Sequence, residues 1–318
     1  MYSSGNIKDL NRFYQELAKP EEFIEFSSRR QSAEIKTYKY NFENEKCIIV
    51  VIPTANILSD RVSRIIKLFS YLPIIVVESS GQFFNFSKSM NRGIEIALEY
   101  EPEWILLSND DIIPLGTQHN LVSILRNSDE CDVAVPYLEM MNGSINDSGV
   151  CLRRQTAVTE LLYQSIGTIA IEMLPNHLKG QVIAHSLNIF DSSIQRYVSI
   201  YSSQRQSPST IFFNLSALMR LTRILTRPII CVRNIQPVAA IRSHVLKQKK
   251  FDTIFINGGE DTDLAIWIKL NRFVVRNIDF RLYNNSGSSL GIDVLRVYRN
   301  SIPELLYLGY KLKQIYNL

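Results

Sequence analysis

The sequence predicts an α/β fold: a mostly parallel sheet flanked by helices, carrying a largely helical basic insertion. Three observations predict it. Short apolar runs, "KCIIVVIPT" (46–54), "PIIVVESSG" (73–81) and "EWILLSNDD" (103–111), alternate with amphipathic segments. Runs this short and this apolar suit strands buried on both faces. Each run ends in polar residues, where open α/β sheets place their ligands. The charge is also lopsided: residues 150–250 hold nine arginines and four lysines against three acids, while the whole chain is only +4.

The elements follow in order. Residues 1–45 are polar and mixed and read as an N-terminal helical arm, with one helix over Asn6 to Leu17 and another after Pro20. The first strand, 46–54, stops at Pro53. The segment 59–72 places Val62, Ile65, Ile66 and Phe69 on one helical face, with Ser59 as N-cap. A second strand (73–81) and a helix over 85–100 precede the third strand, giving β-α-β-α-β. Such an order builds a parallel sheet with helices on both faces. Residues 46–140 make the first half of the domain and 141–227 the basic, mainly helical insertion. The second half spans 228–300: "PIICVRNIQPVAAI" (228–241) returns to strand character, and "INGGEDTDLAIWIKL" (256–270) is a glycine turn leading into a helix. Residues 301–318 form an amphipathic C-terminal helix.

Composition excludes several classes. At 318 residues, 46% of them hydrophobic and 21% charged, the chain suits one large or two smaller globular domains. A net charge of +4 gives no case for nucleic acid. The four cysteines (Cys47, Cys131, Cys151, Cys231) form no C-x-x-C pair and read as buried free thiols of a reducing compartment. The four histidines lack zinc spacing. "MYSSGNIKDL" has no apolar core of a secretory signal, and no run of about 18 apolar residues spans a bilayer. The expectation is a cytoplasmic protein, peripheral at a membrane if its basic region meets anionic lipid. Dinucleotide and P-loop fingerprints are absent.

Two acidic clusters carry the chemistry. Asn109-Asp110-Asp111 ends the third strand, and adjacent carboxylates resist burial unless solvent, a cation or a metal offsets them. Alone, the run reads as a helix N-cap or an Asx turn after a strand. Glu260, Asp261 and Asp263 follow Gly258-Gly259 in the first turn of a helix, where the helix dipole favours negative charge. They read equally as helix capping, Asp263 above all.

Taken in order, "VVIPTAN", "IIVVESSG", "NFSKSMNRGIEIAL", "WILLSNDDI", "GGEDTDLAIWI" and, more loosely, "YNNSGSSL" with "VYRN" resemble the GT-A-fold glycosyltransferases of family 2. These are inverting, nucleotide-sugar-dependent enzymes. The resemblance spans about 46 to 300 and is thinnest over 140–230. The long step from Asp111 to Asp261 implies an insertion. By the resemblance, Asp111 binds a divalent metal (Mg²⁺ or Mn²⁺), with Asn109 facing the ribose or the metal's water. Asp261 is the base, and Glu260 raises its pKa or binds acceptor hydroxyls. Pro53, Thr54, Ala55 and Glu78 line the base and ribose pocket, and Asp110 belongs to the donor site. Lys88 and Asn91, three apart on a helix, reach the base or diphosphate. Gly258 and Gly259 let the backbone approach the sugar, while Gly93 permits close helix packing. The family often has Asp at the position of Glu78, a full D-x-D at 109–111, and a His where this chain has Asn284 and Asn285. The departures at Asn109 and at Asn284-Asn285 weaken the expected metal site, and Glu78 leaves the base identity open. Arg296, Tyr298 and Arg299 read as a phosphate clamp or as a basic helix face.

The donor implied is a UDP-, dTDP- or GDP-linked sugar. The acceptor is a glycan, a lipid-linked sugar or a protein, met by the basic region. A nucleotidyltransferase of related fold needs a glycine- and base-rich loop after the first strand, and "PTANILSDR" lacks it. A non-catalytic sugar-nucleotide-binding or scaffold protein is supported by Asn109 and the missing His. The Glu260-Asp261 pair argues against it.

Overall fold

A computed structural model describes residues 20–114, 121–128, 130–139, 145–146, 149–153, 228–235, 237–284, 304 and 307–318. The chain divides into two compact units, one made of 30–150 with 232–289, the other of 1–29, 151–231 and 290–318.

The larger unit is α/β. Its strands are β1 (Lys36–Tyr40), β2 (Ile48–Thr54), β3 (Ile74–Glu78), β4 (Trp104–Ser108), β5 (Ile112–Pro114), β6 (Val133–Glu139) and β7 (Ile145–Asn146). After β8 (Gly149–Arg153) and β9 (Pro228–Arg233) come β10 (Val238–Arg242) and β11 (Val275–Asn284). One mixed sheet of nine strands runs in the order β1-β3-β2-β4-β10-β6-β11-β5, with β7 paired to β6. Strands β2, β3 and β4 are parallel to one another, and β11 is parallel to β6. Strand β10 runs antiparallel between β4 and β6, so β6 points the same way as β4.

The helices, numbered along the chain, are α1 (Pro20–Arg29), α2 (Asp60–Leu68), α3 (Phe86–Leu98), α4 (Leu121–Arg126), α5 (Ser243–Gln248) and α6 (Glu260–Leu270). Side chains of a strand alternate between faces, and β2 uses both. Ile48, Val50 and Ile52 join Val62, Ile65 and Phe69 of the α2 segment in one core. Val51 faces α3, where Gly93 makes room: a Cβ at 93 would collide with Val51 Cγ1 and lie 2.9 Å from Val77 Cγ2. Each face of β2 is therefore covered. Local signals hold the helices in place. The Ser59 hydroxyl caps α2 by accepting from Val62 N–H, and the Asn85 side chain caps α3 by accepting from Lys88 N–H.

Several expectations change. The sheet expected to be mostly parallel is mixed: β2, β3 and β4 run parallel, but β1–β3, β4–β10, β10–β6, β6–β7 and β11–β5 pair antiparallel. Residues 36–40, read within a helical arm, form an edge strand antiparallel to β3; "KTYKY" sets β-favouring Thr37, Tyr38 and Tyr40 among two lysines. The helix after Pro20 is α1. The run 228–241 is two strands rather than one, broken before Pro237, which has no N–H to continue a ladder. The expected insertion opens with β-structure: β7 and β8 lie at its start, and 154–227 lies outside the described residues. So does the helix expected over 6–17.

In the other unit β8 pairs with β9, and Cys151 and Cys231 form a disulfide across them. That corrects the reading of four free thiols, because the pairing of two strands 80 residues apart sets the sulfurs side by side. Cys47 and Cys131 are free, and burial pushes the Cys131 thiol up from its ordinary pKa. In the same unit Phe23 of α1 is buried, its ring 6.2 Å from that of Tyr307. The C-terminal helix covers 307–314.

Candidate active site

Because β2, β3 and β4 are parallel, their C-terminal ends fall on one edge of the sheet. There Thr54 stands opposite Glu78. The Thr54 hydroxyl donates to Asp110 Oδ2 at 2.8 Å, tying the end of β2 to the turn after β4. Glu78 is held from two sides: Oε1 accepts from Ile57 N–H at 2.8 Å and Oε2 from the Tyr38 hydroxyl at 3.0 Å. That carboxylate raises the Tyr38 phenol above its usual pKa. It also draws the loop after β2 down over the strand ends. Asn56 shapes that loop, its Oδ1 accepting from Leu58 N–H at 2.9 Å. Pro53 is buried within β2, while Ala55 is exposed.

Asn109 and Asp111 complete the edge. Asp111 is 9% exposed, and Asn109 Oδ1 is buried and meets no hydrogen-bond donor among the described residues. Strand β5 follows at once and pairs with β11, setting Asn284 opposite Ile112, one residue from Asp111. The backbone thus brings the expected His position beside the expected metal position. Among the described residues no three His, Cys, Asp or Glu side chains form a metal cage. A buried carboxylate beside an orphan carboxamide oxygen does fit Mg²⁺, which takes one or two protein oxygens and completes its shell with phosphates and water.

The second cluster sits at the start of α6. Gly259 precedes it at φ 89°, a conformation that favours glycine. Glu260 is buried and Asp261 half-buried. Asp261 Oδ1 accepts from Thr262 N–H at 2.7 Å. Burial pushes the Asp261 carboxyl above its ordinary pKa; hydrogen bonds from Asn234 and Thr262 partly oppose that rise. Asp263 is not a surface cap but fully buried.

Two sets of contacts bear on how the clusters are held. Asn109 N–H donates to the Pro237 carbonyl at 2.9 Å, and Asn234, three residues earlier, lies close enough to Asp261 to lower its carboxyl's pKa. The loop before α6 is stapled to α3. Asn91 Nδ2 donates to Phe251 O at 2.8 Å, and Asn91 Oδ1 accepts from Phe251 N–H at 3.0 Å. Asn85 Nδ2 donates to Thr253 O at 3.1 Å, and Phe86 N–H to Ile256 O at 2.7 Å.

The structure therefore groups Thr54, Glu78, Asn109, Asp110 and Asp111 on one edge and ties Asp261 to it. Asn91 is not presented to a donor there, since both ends of its amide hold Phe251. Lys88 points elsewhere too, its Nζ 2.7 Å from Ser32 Oγ. Asn234 and Tyr38 were invisible as site residues. Their only signal was position: a lone Asn between two apolar runs, and a Tyr among lysines. Asn285, Arg296, Tyr298 and Arg299 lie outside the described residues. No family model matches the chain, and no curated protein matches it in sequence.

Proposed function

We propose that the chain is an inverting glycosyltransferase of GT-A type, moving a sugar from a nucleoside-diphosphate sugar to a hydroxyl acceptor. The observation that carries this reading is the tie between a polar strand-end edge and a half-buried carboxylate on a separate helix. Direct displacement needs those two features: a donor-side edge and a base on the acceptor side.

Asp261 takes the proton from the acceptor hydroxyl as its oxygen bonds to the anomeric carbon. The bond from that carbon to the diphosphate oxygen breaks, and the nucleoside diphosphate leaves with the electron pair. A carboxyl raised above its ordinary pKa is the stronger base. Thr54 and Asp110 fix the floor under the nucleoside, and Glu78 holds the loop over it. Asp111 and Asn109 would hold Mg²⁺ or Mn²⁺, which offsets the diphosphate charge when bound. Among the described residues no helix is long and apolar enough to cross a membrane. Contact with an anionic membrane or a lipid-linked acceptor is part of the proposal and rests on the basic composition of 150–250.

The test is a nucleotide-release screen with UDP-, dTDP- and GDP-sugars in Mn²⁺, Mg²⁺ or EDTA, beside Asp261→Asn. Release of one nucleotide, lost in the mutant by about 10²–10⁴-fold, is expected. Release that survives EDTA removes the metal and leaves the transferase. Saturable nucleotide binding without release, even with a panel of glycan and lipid-linked acceptors, would replace the enzyme with a sugar-nucleotide-binding protein.

A further inference from the structure

Glu78 ends β3 half-buried, and both of its oxygens are engaged within the protein. Oε1 accepts from Ile57 N–H at 2.8 Å, and Oε2 accepts from the Tyr38 hydroxyl at 3.0 Å. The donors come from the strands on either side of β3: Ile57 follows β2, and Tyr38 lies on β1. Register makes the second reach possible. Tyr38 pairs with Val76, so Glu78, two residues on, is its diagonal neighbour on the same face. Tyr38 and Ile57 both pack against the core that contains Val76. The loop after β2 is also braced from its other end. Asn56 N–H donates to Thr54 Oγ1 at 3.2 Å, and Asn56 Oδ1 accepts from Leu58 N–H at 2.9 Å. Thr54 in turn donates to Asp110. Residues 55–58 are thus tied to the Asn109–Asp111 edge through Thr54 and to β1 through Glu78.

We propose that Tyr38 is a positioning residue for the donor's nucleoside: its hydroxyl fixes the Glu78 carboxylate in the orientation that grips Ile57 N–H, and so sets residues 55–58 as a wall of the donor site. This rests on the reading of the strand-end edge as that site. The chemistry favours a carboxylate between two donors. One donor leaves a long, flexible side chain free to swing. A second donor on the other oxygen removes that freedom, and a loop ordered before the ligand arrives spares the ordering cost of binding. Glutamate has the length for both contacts; an aspartate, one methylene shorter, would draw the carboxylate back from both donors. The phenol of Tyr38 lies above its usual pKa because of this carboxylate, so the hydroxyl keeps its proton and remains a donor at neutral pH.

The experiment compares wild type with Tyr38→Phe, which keeps the ring and its packing and removes only the hydroxyl. Two readouts are taken. The first needs no activity: amide hydrogen exchange at Ile57 and Leu58, followed by NMR. Exchange faster by about 3–10-fold is expected in Tyr38→Phe, the loss of one hydrogen bond's worth of protection. Glu78→Asp, which shortens the reach, matches it. Glu78→Gln keeps exchange near wild type, because its amide still accepts from Ile57 N–H and donates to the Tyr38 oxygen. The second readout is steady-state nucleotide release with the donor found in the screen. Tyr38→Phe raises donor KM by about 3–10-fold and leaves kcat within about twofold. Unchanged exchange in Tyr38→Phe overturns the clamp. Faster exchange with unchanged KM overturns the positioning role. Both results leave the glycosyltransferase standing. A wild type that binds and releases no nucleotide of the panel removes the donor site, and the role of Tyr38 with it. If Tyr38→Phe does not fold, Glu78→Asp is read against the same outcomes.

Discussion

Replacing Asn91 with alanine removes a matched pair of hydrogen bonds, at 2.8 and 3.0 Å, to the backbone of Phe251. Phe251 is 3% exposed, so water reaches its freed N–H and carbonyl poorly. A typical intramolecular hydrogen bond contributes about 0.5–1.5 kcal/mol net, and a buried group left unsatisfied costs about 1–3 kcal/mol. Two bonds with both partners stranded give a loss of roughly 2–4 kcal/mol. For a domain of this size that is a Tm lower by roughly 5–10 °C. Thermal unfolding followed by circular dichroism measures it, with a urea titration as a check on the midpoint. Asn91→Asp keeps the acceptor for Phe251 N–H and loses only the donor, so it falls between. Kinetics separate the two roles that Asn91 could have. A residue that holds the loop leading to Asp261 lowers kcat and leaves donor KM alone; a residue that binds the donor raises KM and leaves Tm alone. An alanine variant within about 2 °C of wild type, with a raised KM, would falsify the stapling role.

Three further outcomes are expected. Gly93→Ala drives a methyl into Val51 and Val77, both fully buried, and loses about 1–3 kcal/mol in urea unfolding despite alanine's better helix propensity; an unchanged midpoint refutes the close packing. The acid limb of kcat lies above the ordinary carboxyl value of 3.8, because burial raises Asp261. For stability the sign is opposite to that of an ion-paired acid: the folded state holds this proton more tightly than the unfolded state, so the contribution is present at low pH and lost as pH rises through the folded pKa. Asp261→Asn is accordingly at least as stable as wild type at neutral pH, and a clearly lower Tm contradicts the burial account. Finally, the denatured, unreduced protein titrates two thiols, from Cys47 and Cys131, and reduction exposes the other two while lowering stability by about 2–5 kcal/mol. Four thiols before reduction would remove the disulfide.

The fold class was legible where the physics is local. β2, β3 and β4 announced themselves as short apolar runs because burial on both faces leaves no polar position. Ser59 was readable as a cap because a helix needs a side-chain acceptor at its first turn. What the sequence hid was long-range pairing. Nothing in "KTYKY" says that it will lie against β3, and the basic stretch around Cys151 and Cys231 says nothing of two strands meeting across 80 residues. The site divided along the same line. Thr54, Glu78 and the 109–111 cluster sit at strand ends, where alternation and parallel order predict a shared edge. Lys88 and Asn91 share a helix face, but which neighbour that face meets is decided by the fold. The face met the 251–256 loop and Ser32, so a residue expected to bind ligand became part of the frame. Asn234 is the converse case, a polar residue in a link that acts on the Asp261 carboxyl, 27 positions away on α6.

The two rims of the sheet have a consequence for association. A sheet rim with open N–H and carbonyl groups invites a second chain to add on. Strand β1 carries Lys36 and Lys39, and each neighbour that tried to align there would meet those ammonium groups and have to strip their water. At the opposite rim β5 offers only three residues and ends in Pro114, too short a template to seed an added strand. Among the described residues, β1 and β5 both discourage strand addition, so neither offers a second chain a ready place to extend the sheet.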